Sequence, residues 1–135
     1  MKFSELLNSK YVMIVSAFYL GITGILLLFL PQEFLTAIQL NNTIEFEIVL
    51  QILGSVYLGF AILNWNSRFK IIGGIYSRPL VLANFTHSFI VAITLLKNYS
   101  HFQNSIVYLT LTAIYFLSSV LFGKLMFTHP SKHSQ

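Results

Sequence analysis

The sequence predicts an all-α fold, a four-helix transmembrane bundle, on three observations. Hydrophobic residues make up 56% of the chain and charged residues only 9%, a balance foreign to water-soluble domains. Four stretches approach the roughly 20 apolar residues needed to cross a hydrocarbon core. The charged residues fall almost entirely in the gaps between those stretches. At 135 residues the chain fits one integral membrane domain, 1–135. The predicted spans are residues 11–30, 46–64, 79–96 and 105–127. What remains is too short to hold a soluble domain.

The first span follows Lys2 and Lys10, as a signal peptide would. It is longer than a signal core, however, and lacks a small-x-small cleavage pattern ahead of Pro31-Gln32-Glu33, so it reads as a retained helix. Proline cannot continue the hydrogen-bond ladder, and the helix is expected to end at Leu30-Pro31. The following "PQEFLTAIQLNNTIE" alternates apolar and polar residues, which suits a short amphipathic turn lying on the outer interface. The second span runs into "NWNSRFKIIGGIYSRP", a loop with three cations flanking Gly73-Gly74. Such a loop either records topology or holds an anionic lipid head or a phosphate; it lacks the spacing of a phosphate-binding fingerprint. Ser77 suits the start of the third helix as a cap, with Pro79 in its first turn. Tyr11, Trp65, Tyr76, Tyr99 and Phe102 sit near expected helix ends, where amphipathic rings prefer the headgroup region.

The net charge of +4 could be mistaken for a nucleic-acid footprint. The positive-inside rule explains it better. With both termini cytoplasmic, Lys2, Lys10, Arg68, Lys70, Arg78, Lys124 and Lys132 lie inside and only Lys97 lies outside, while Glu33, Glu45 and Glu47 fall on the outer side. The expected setting is a bacterial cytoplasmic (inner) membrane, with membrane lipids as partners and no nucleic acid. A homo-oligomer or a larger membrane complex stays open, because four short helices enclose little volume.

Lipid tails are as apolar as leucine, so small and polar residues mark the faces where helices meet. Three-four spacing groups Ser105, Tyr108, Thr112, Tyr115 and Ser119 on the fourth helix, and Asn84, His87, Ser88, Val91 and Thr94 on the third. The second helix offers Glu47, Gln51, Ser55 and Gly59, and the first Ser16, Tyr19 and Thr23 with Gly21 and Gly24 nearby. His87 lies nine residues beyond Arg78, which at the helical rise puts it about 13 Å deep, near the midplane. The expected ligand site is therefore His87 and Asn84 with Tyr115, Ser55, Gln51 and Tyr19 around them. In that reading His87 binds a ligand or relays a proton. In a purely structural reading, His87 and Asn84 only bridge helices, with hydrogen bonds worth about 1 kcal/mol each. "SAFYLGITGIL" and "SVYLGFAIL" share Tyr-Leu-Gly, which two apolar segments can also share by chance.

Sharper chemistries find no residues. Cysteine is absent, which removes disulfides, thiolate metal sites and cysteine nucleophiles. A bis-histidine haem would need a second midplane histidine, and His101, His129 and His133 lie at or beyond the helix ends. No carboxylate or second imidazole shares a helix face with His87, so neither a metal centre nor any other cofactor is expected. The chain has no aspartate for a Ser–His–Asp triad. "ILGSVYLGFAILNWNSR" and "GGIYSRPLVLANFTH", within residues 52–87, resemble segments of small four-helix integral membrane proteins of bacteria whose function is uncharacterised. The resemblance implies a four-helix bundle and no activity. The expected function is non-enzymatic, binding or passing a small molecule or lipid through a polar intramembrane pocket. The alternatives are a structural or accessory subunit of a larger complex, and an interfacial lipid-modifying enzyme using Glu45, Glu47 or His87.

Overall fold

A computed structural model describes residues 9–69, 78–102 and 105–127. Lys2, Lys70, Gly73, Gly74, Tyr76, Ser77, His129, Lys132 and His133, which the sequence reading used, lie outside the described residues. Among those described there are five α-helices and no strand. The helices are α1 (Ser9–Phe29), α2 (Pro31–Ala37), α3 (Ile44–Ser67), α4 (Arg78–Lys97) and α5 (Ile106–Phe127), with one 3-10 turn at Tyr99–His101. The fold is all-α, and α1, α3, α4 and α5 are each long and apolar enough to cross a membrane. Their outer surfaces, including Val15, Ile22, Phe29, Ile52, Ile90 and Leu117, are apolar and exposed, the pattern of helices solvated by lipid. These features point to an integral membrane protein.

Helix boundaries follow local chemistry. Pro31 ends α1 as expected, and it then supplies the first residue of α2, where its missing N–H costs nothing. The amphipathic turn is thus a two-turn helix that buries Pro31 and Leu35 and exposes Gln32 and Glu33. It stops where Gln39 takes φ 62°, a left-handed conformation costing a non-glycine residue about 1 kcal/mol. The reversal lets the Leu40 N–H reach the Leu35 carbonyl at 2.9 Å and the Gln39 N–H reach Thr36 at 3.0 Å, closing the helix end. Thr43, in extended backbone, opens α3 by offering Oγ1 to the Phe46 N–H at 3.5 Å, with Glu45 and Glu47 in the first turn, where the helix dipole favours them. Helix α3 runs past the expected Asn64 to Ser67 because both residues face the interior rather than a loop.

The helices pair as two antiparallel hairpins, α1 with α3 and α4 with α5. Within the first, backbones touch. A Cβ on Gly54 would lie 2.8 Å from the Gly24 carbonyl oxygen, and one on Gly24 would lie 2.9 Å from that of Gly54. Only paired glycines allow so close a crossing. In the second, Gly123 admits the Phe85 ring, which would stand 3.1 Å from an added Cβ. The hairpins meet through larger side chains. Leu20, Leu27, Tyr57, Ala61, Ala92 and Tyr115 fill the middle, and Val12, Met13, Val81, Phe122 and Leu125 fill the end where α1 begins and α5 finishes. The shared Tyr-Leu-Gly brings Tyr19 and Tyr57 toward the same core, but its glycines diverge: Gly21 faces Ala61, whereas Gly59 has no neighbour within 4 Å.

The antiparallel order gathers Lys10, Arg68, Arg78 and Lys124 at one end of the bundle. Glu33, Glu45, Glu47 and Lys97 gather at the other. At that second end the Ser105 hydroxyl donates to the Ala37 carbonyl at 2.7 Å, tying α2 to the start of α5.

Candidate functional site

Two polar groups occupy the interior, and α4 contributes to both. The first is an amide clasp. Asn64 of α3 and Asn84 of α4 exchange reciprocal hydrogen bonds, each Nδ2 donating to the other Oδ1 at 2.8 Å. The second Asn64 N–H goes to Ser16 Oγ of α1 at 3.0 Å, and the Ser16 hydroxyl donates to the Met13 carbonyl at 2.9 Å. The second Asn84 N–H reaches the Leu80 carbonyl at 3.0 Å. Every amide hydrogen of the pair is used, and the clasp joins three helices in a region from which lipid and water are excluded. Asn64 is 0% exposed and Asn84 1%.

One turn further along α4 the second group is built from rings. The His87 imidazole stacks on Phe60 with centroids 5.4 Å apart, and meets Tyr57 edge-on at 5.3 Å and Tyr115 at 5.6 Å. Tyr115 in turn takes the edge of Tyr19 at 5.9 Å. Edge-to-face contacts of this kind stabilise by about 0.5–1.5 kcal/mol each. The polar atoms carried by the rings fare differently. Tyr19 Oη, His87 Nε2, Ser88 Oγ and Tyr115 Oη are all buried without a well-formed hydrogen bond; the Tyr19 hydroxyl comes only loosely near Ser88 and Ser118, and that of Tyr115 near Tyr57. Ser88 differs in this from Ser55, Thr94, Thr112 and Ser119, each of which donates to a carbonyl three or four residues back. Tyr57 and Tyr115 also border a cavity of about 140 Å³, otherwise lined mostly by apolar residues such as Leu27, Phe34, Leu53 and Leu111 and closed on one side by α2. The Tyr108 hydroxyl on its wall is already committed to the Leu95 carbonyl at 2.8 Å.

Of the residues expected to form the site, His87, Tyr115 and Tyr19 come together. Asn84 is adjacent but belongs to the clasp. Ser55 and Gln51 do not join them: both are exposed, Ser55 bonding to the Ile52 carbonyl at 2.7 Å and Gln51 reaching the Leu28 carbonyl at 3.5 Å. The inward stripe of α3 is Gly54, Tyr57, Ala61 and Asn64. The reason is angular. Steps of four residues drift by about 40° each at 3.6 residues per turn, so the stripe of Glu47, Gln51, Ser55 and Gly59 winds off any one face. Steps of three, four and three hold a face, and that spacing was the available signal for Asn64 and Tyr57. Phe60 and Thr94 illustrate the converse, a ring that joins the site from a half-buried position and a threonine that points outward.

Glu47 accepts from Gln32 Nε2 at 3.0 Å at the α2 end, remote from the rings. No acid or base shares the cluster with His87 among the groups seen to contact it, and no three histidine, aspartate or glutamate side chains gather into a metal-holding set among the described residues. The arrangement suits recognition by hydrogen bonding. No known protein family, curated protein or solved structure matches this chain.

Proposed function

We propose that the chain is a single-domain, multi-pass protein of a bacterial inner membrane that binds a small uncharged molecule at the cluster of Tyr19, His87, Ser88 and Tyr115. One observation carries the proposal: four buried polar atoms, on Tyr19, His87, Ser88 and Tyr115 of three packed helices, make no well-formed hydrogen bond, Tyr19 having only loose approaches to Ser88 and Ser118 and Tyr115 only one to Tyr57. Each unsatisfied group costs about 1–3 kcal/mol, and a bound hydrogen-bonding group would remove that cost. The adjoining cavity of about 140 Å³ is close to the roughly 150 Å³ that holds a benzene-sized guest. The guest would place a ring or a short apolar body there and turn a carbonyl or hydroxyl toward Tyr115, which lines the cavity and packs against His87 at 5.6 Å. Its lack of charge follows from the lining, which supplies neither a carboxylate nor a cation. Clustering of Lys10, Arg68, Arg78 and Lys124 at one end supports both termini on the cytoplasmic side.

Native mass spectrometry of the protein released from lipid nanodiscs tests the reading, with Tyr115→Phe and His87→Phe beside the wild type. A discrete small-molecule mass should be retained by the wild type and lost in both variants, which keep the ring packing. Identical spectra without any adduct would overturn the proposal and favour an accessory subunit whose polar residues serve packing alone, as the amide clasp does.

A further inference from the structure

An apolar groove and a group of cations meet at Trp65. The groove runs along the outer face of the α1–α3 hairpin and has a volume of about 320 Å³. Ala17 and Ala61 form its floor, and Phe18, Ile62 and Trp65 its walls. Small floor residues leave the slot open, and the walls hold their shape because the Phe18 and Trp65 rings meet edge-on at 5.8 Å. At its Trp65 end the Arg68 guanidinium lies over the Trp65 ring at 3.9 Å and over Phe69 at 4.3 Å, and Lys10 Nζ lies 5.3 Å from the Phe69 ring centre. These cation–π contacts fix the guanidinium beside the groove before anything binds. One of its five N–H groups goes to the Trp65 carbonyl.

We infer that this groove seats an acyl chain of an anionic phospholipid, with its phosphate held by Arg68 and Lys10. The two parts match the two halves of such a lipid. A planar guanidinium with free edges suits a phosphate, which it can engage through paired, charge-assisted hydrogen bonds. The slot begins at the depth of Trp65, a headgroup-level residue, and continues along Ile62, Ala61, Phe18 and Ala17 toward the middle of the bundle. A second copy of the chain is a poorer occupant. Two copies facing through this groove about an axis along the membrane normal would bring both Arg68–Lys10 groups together at the same depth, and like charges would repel. The site is independent of the ring cluster, which lies inside the bundle.

The test uses the full chain in nanodiscs that mix phosphatidylglycerol and phosphatidylcholine of identical acyl chains, with lipid retention read by native mass spectrometry. Wild type should retain phosphatidylglycerol in preference to phosphatidylcholine. Arg68→Gln should lower that retention roughly fivefold, the worth of one basic residue at an anionic surface. Phe18→Ala, at an exposed position that does not threaten folding, should lower it as well by removing a wall of the groove. Lys97→Gln, at the other end of the bundle, should leave it unchanged. Equal retention of the two lipids by wild type would overturn the inference, as would undiminished phosphatidylglycerol in Arg68→Gln. Loss in Arg68→Gln with full retention in Phe18→Ala would also overturn it, since a headgroup would then bind without the groove.

Discussion

The amide clasp and the ring cluster share α4, one helical turn apart, and solve the problem of a buried polar group in opposite ways. At the clasp, Asn64, Asn84 and Ser16 satisfy one another and two backbone carbonyls, so nothing further is needed there. At the cluster, Tyr19, His87, Ser88 and Tyr115 bury polar atoms that make no well-formed hydrogen bond, while the rings pack well. Both would look alike in a list of intramembrane polar residues. The difference shows that depth and polarity do not mark a ligand site; incomplete hydrogen bonding does.

The two regions should respond oppositely to mutation. The largest effect is expected from Asn64→Leu, which strands the Asn84 amide in the interior and should destabilise the protein by about 2 kcal/mol. Unfolding in mixed micelles of increasing SDS fraction, followed by circular dichroism, measures it. A loss no greater than that of Tyr115→Phe would erase the contrast. Next, Asn64→Leu combined with Asn84→Leu should recover most of that loss, because both polar groups leave together and the apolar pair fills a similar volume. A coupling below about 0.5 kcal/mol in the double-mutant cycle would mean that the amides do not act as a unit.

At the cluster the sign reverses. Tyr115→Phe keeps the ring contacts with Tyr19, Tyr57 and His87 and deletes a hydroxyl that makes no well-formed hydrogen bond and only loosely approaches Tyr57, so the ligand-free protein should be as stable or more stable, by up to about 1 kcal/mol. The same variant should lose the retained small molecule. A marked destabilisation in that unfolding assay would show that the hydroxyl already has a partner. The smallest effect is expected for Ser88→Ala, within about 0.5 kcal/mol of wild type without ligand, whereas the same change at Ser16 would leave an Asn64 N–H without its acceptor and should be the more costly of the two. Reversal of that order, read side by side in the same SDS series, would assign the interior polar contacts to the wrong serine.

Much of the architecture could be read from the chain, and the site only in part. Each span was recognisable because apolar stretches near 20 residues leave a membrane helix few alternatives, and Pro31 gave the end of α1. The stripe on α5 was legible because its three-four spacing holds one face, and that on α4 was legible from Asn84 to Val91 but not at Thr94, which points outward. The stripe on α3 was misplaced by the drift of four-residue steps, which sent Gln51 and Ser55 outward and brought Tyr57 and Asn64 inward. Sequence could not tell Asn84 from His87 in role either, since that depends on whether a side chain from another helix arrives at bonding distance.

The sequence alone determined that the chain is built of four long apolar helices, because the need to satisfy every backbone polar group within lipid permits almost nothing else. It also determined that the cations Lys10, Arg68, Arg78 and Lys124 share one end, since antiparallel succession of the helices follows from short connections. Tertiary structure decided which buried polar groups are complete. The crossing of Gly24 and Gly54 sets how closely α1 and α3 approach, and with it whether Ser16 can reach Asn64. The ring-filled space between the hairpins decides that His87 and Tyr115 meet ring edges and faces rather than well-aligned hydrogen-bonding groups. Hydrogen bonds fail over a few tenths of an ångström, a distance that helix packing sets and periodicity does not.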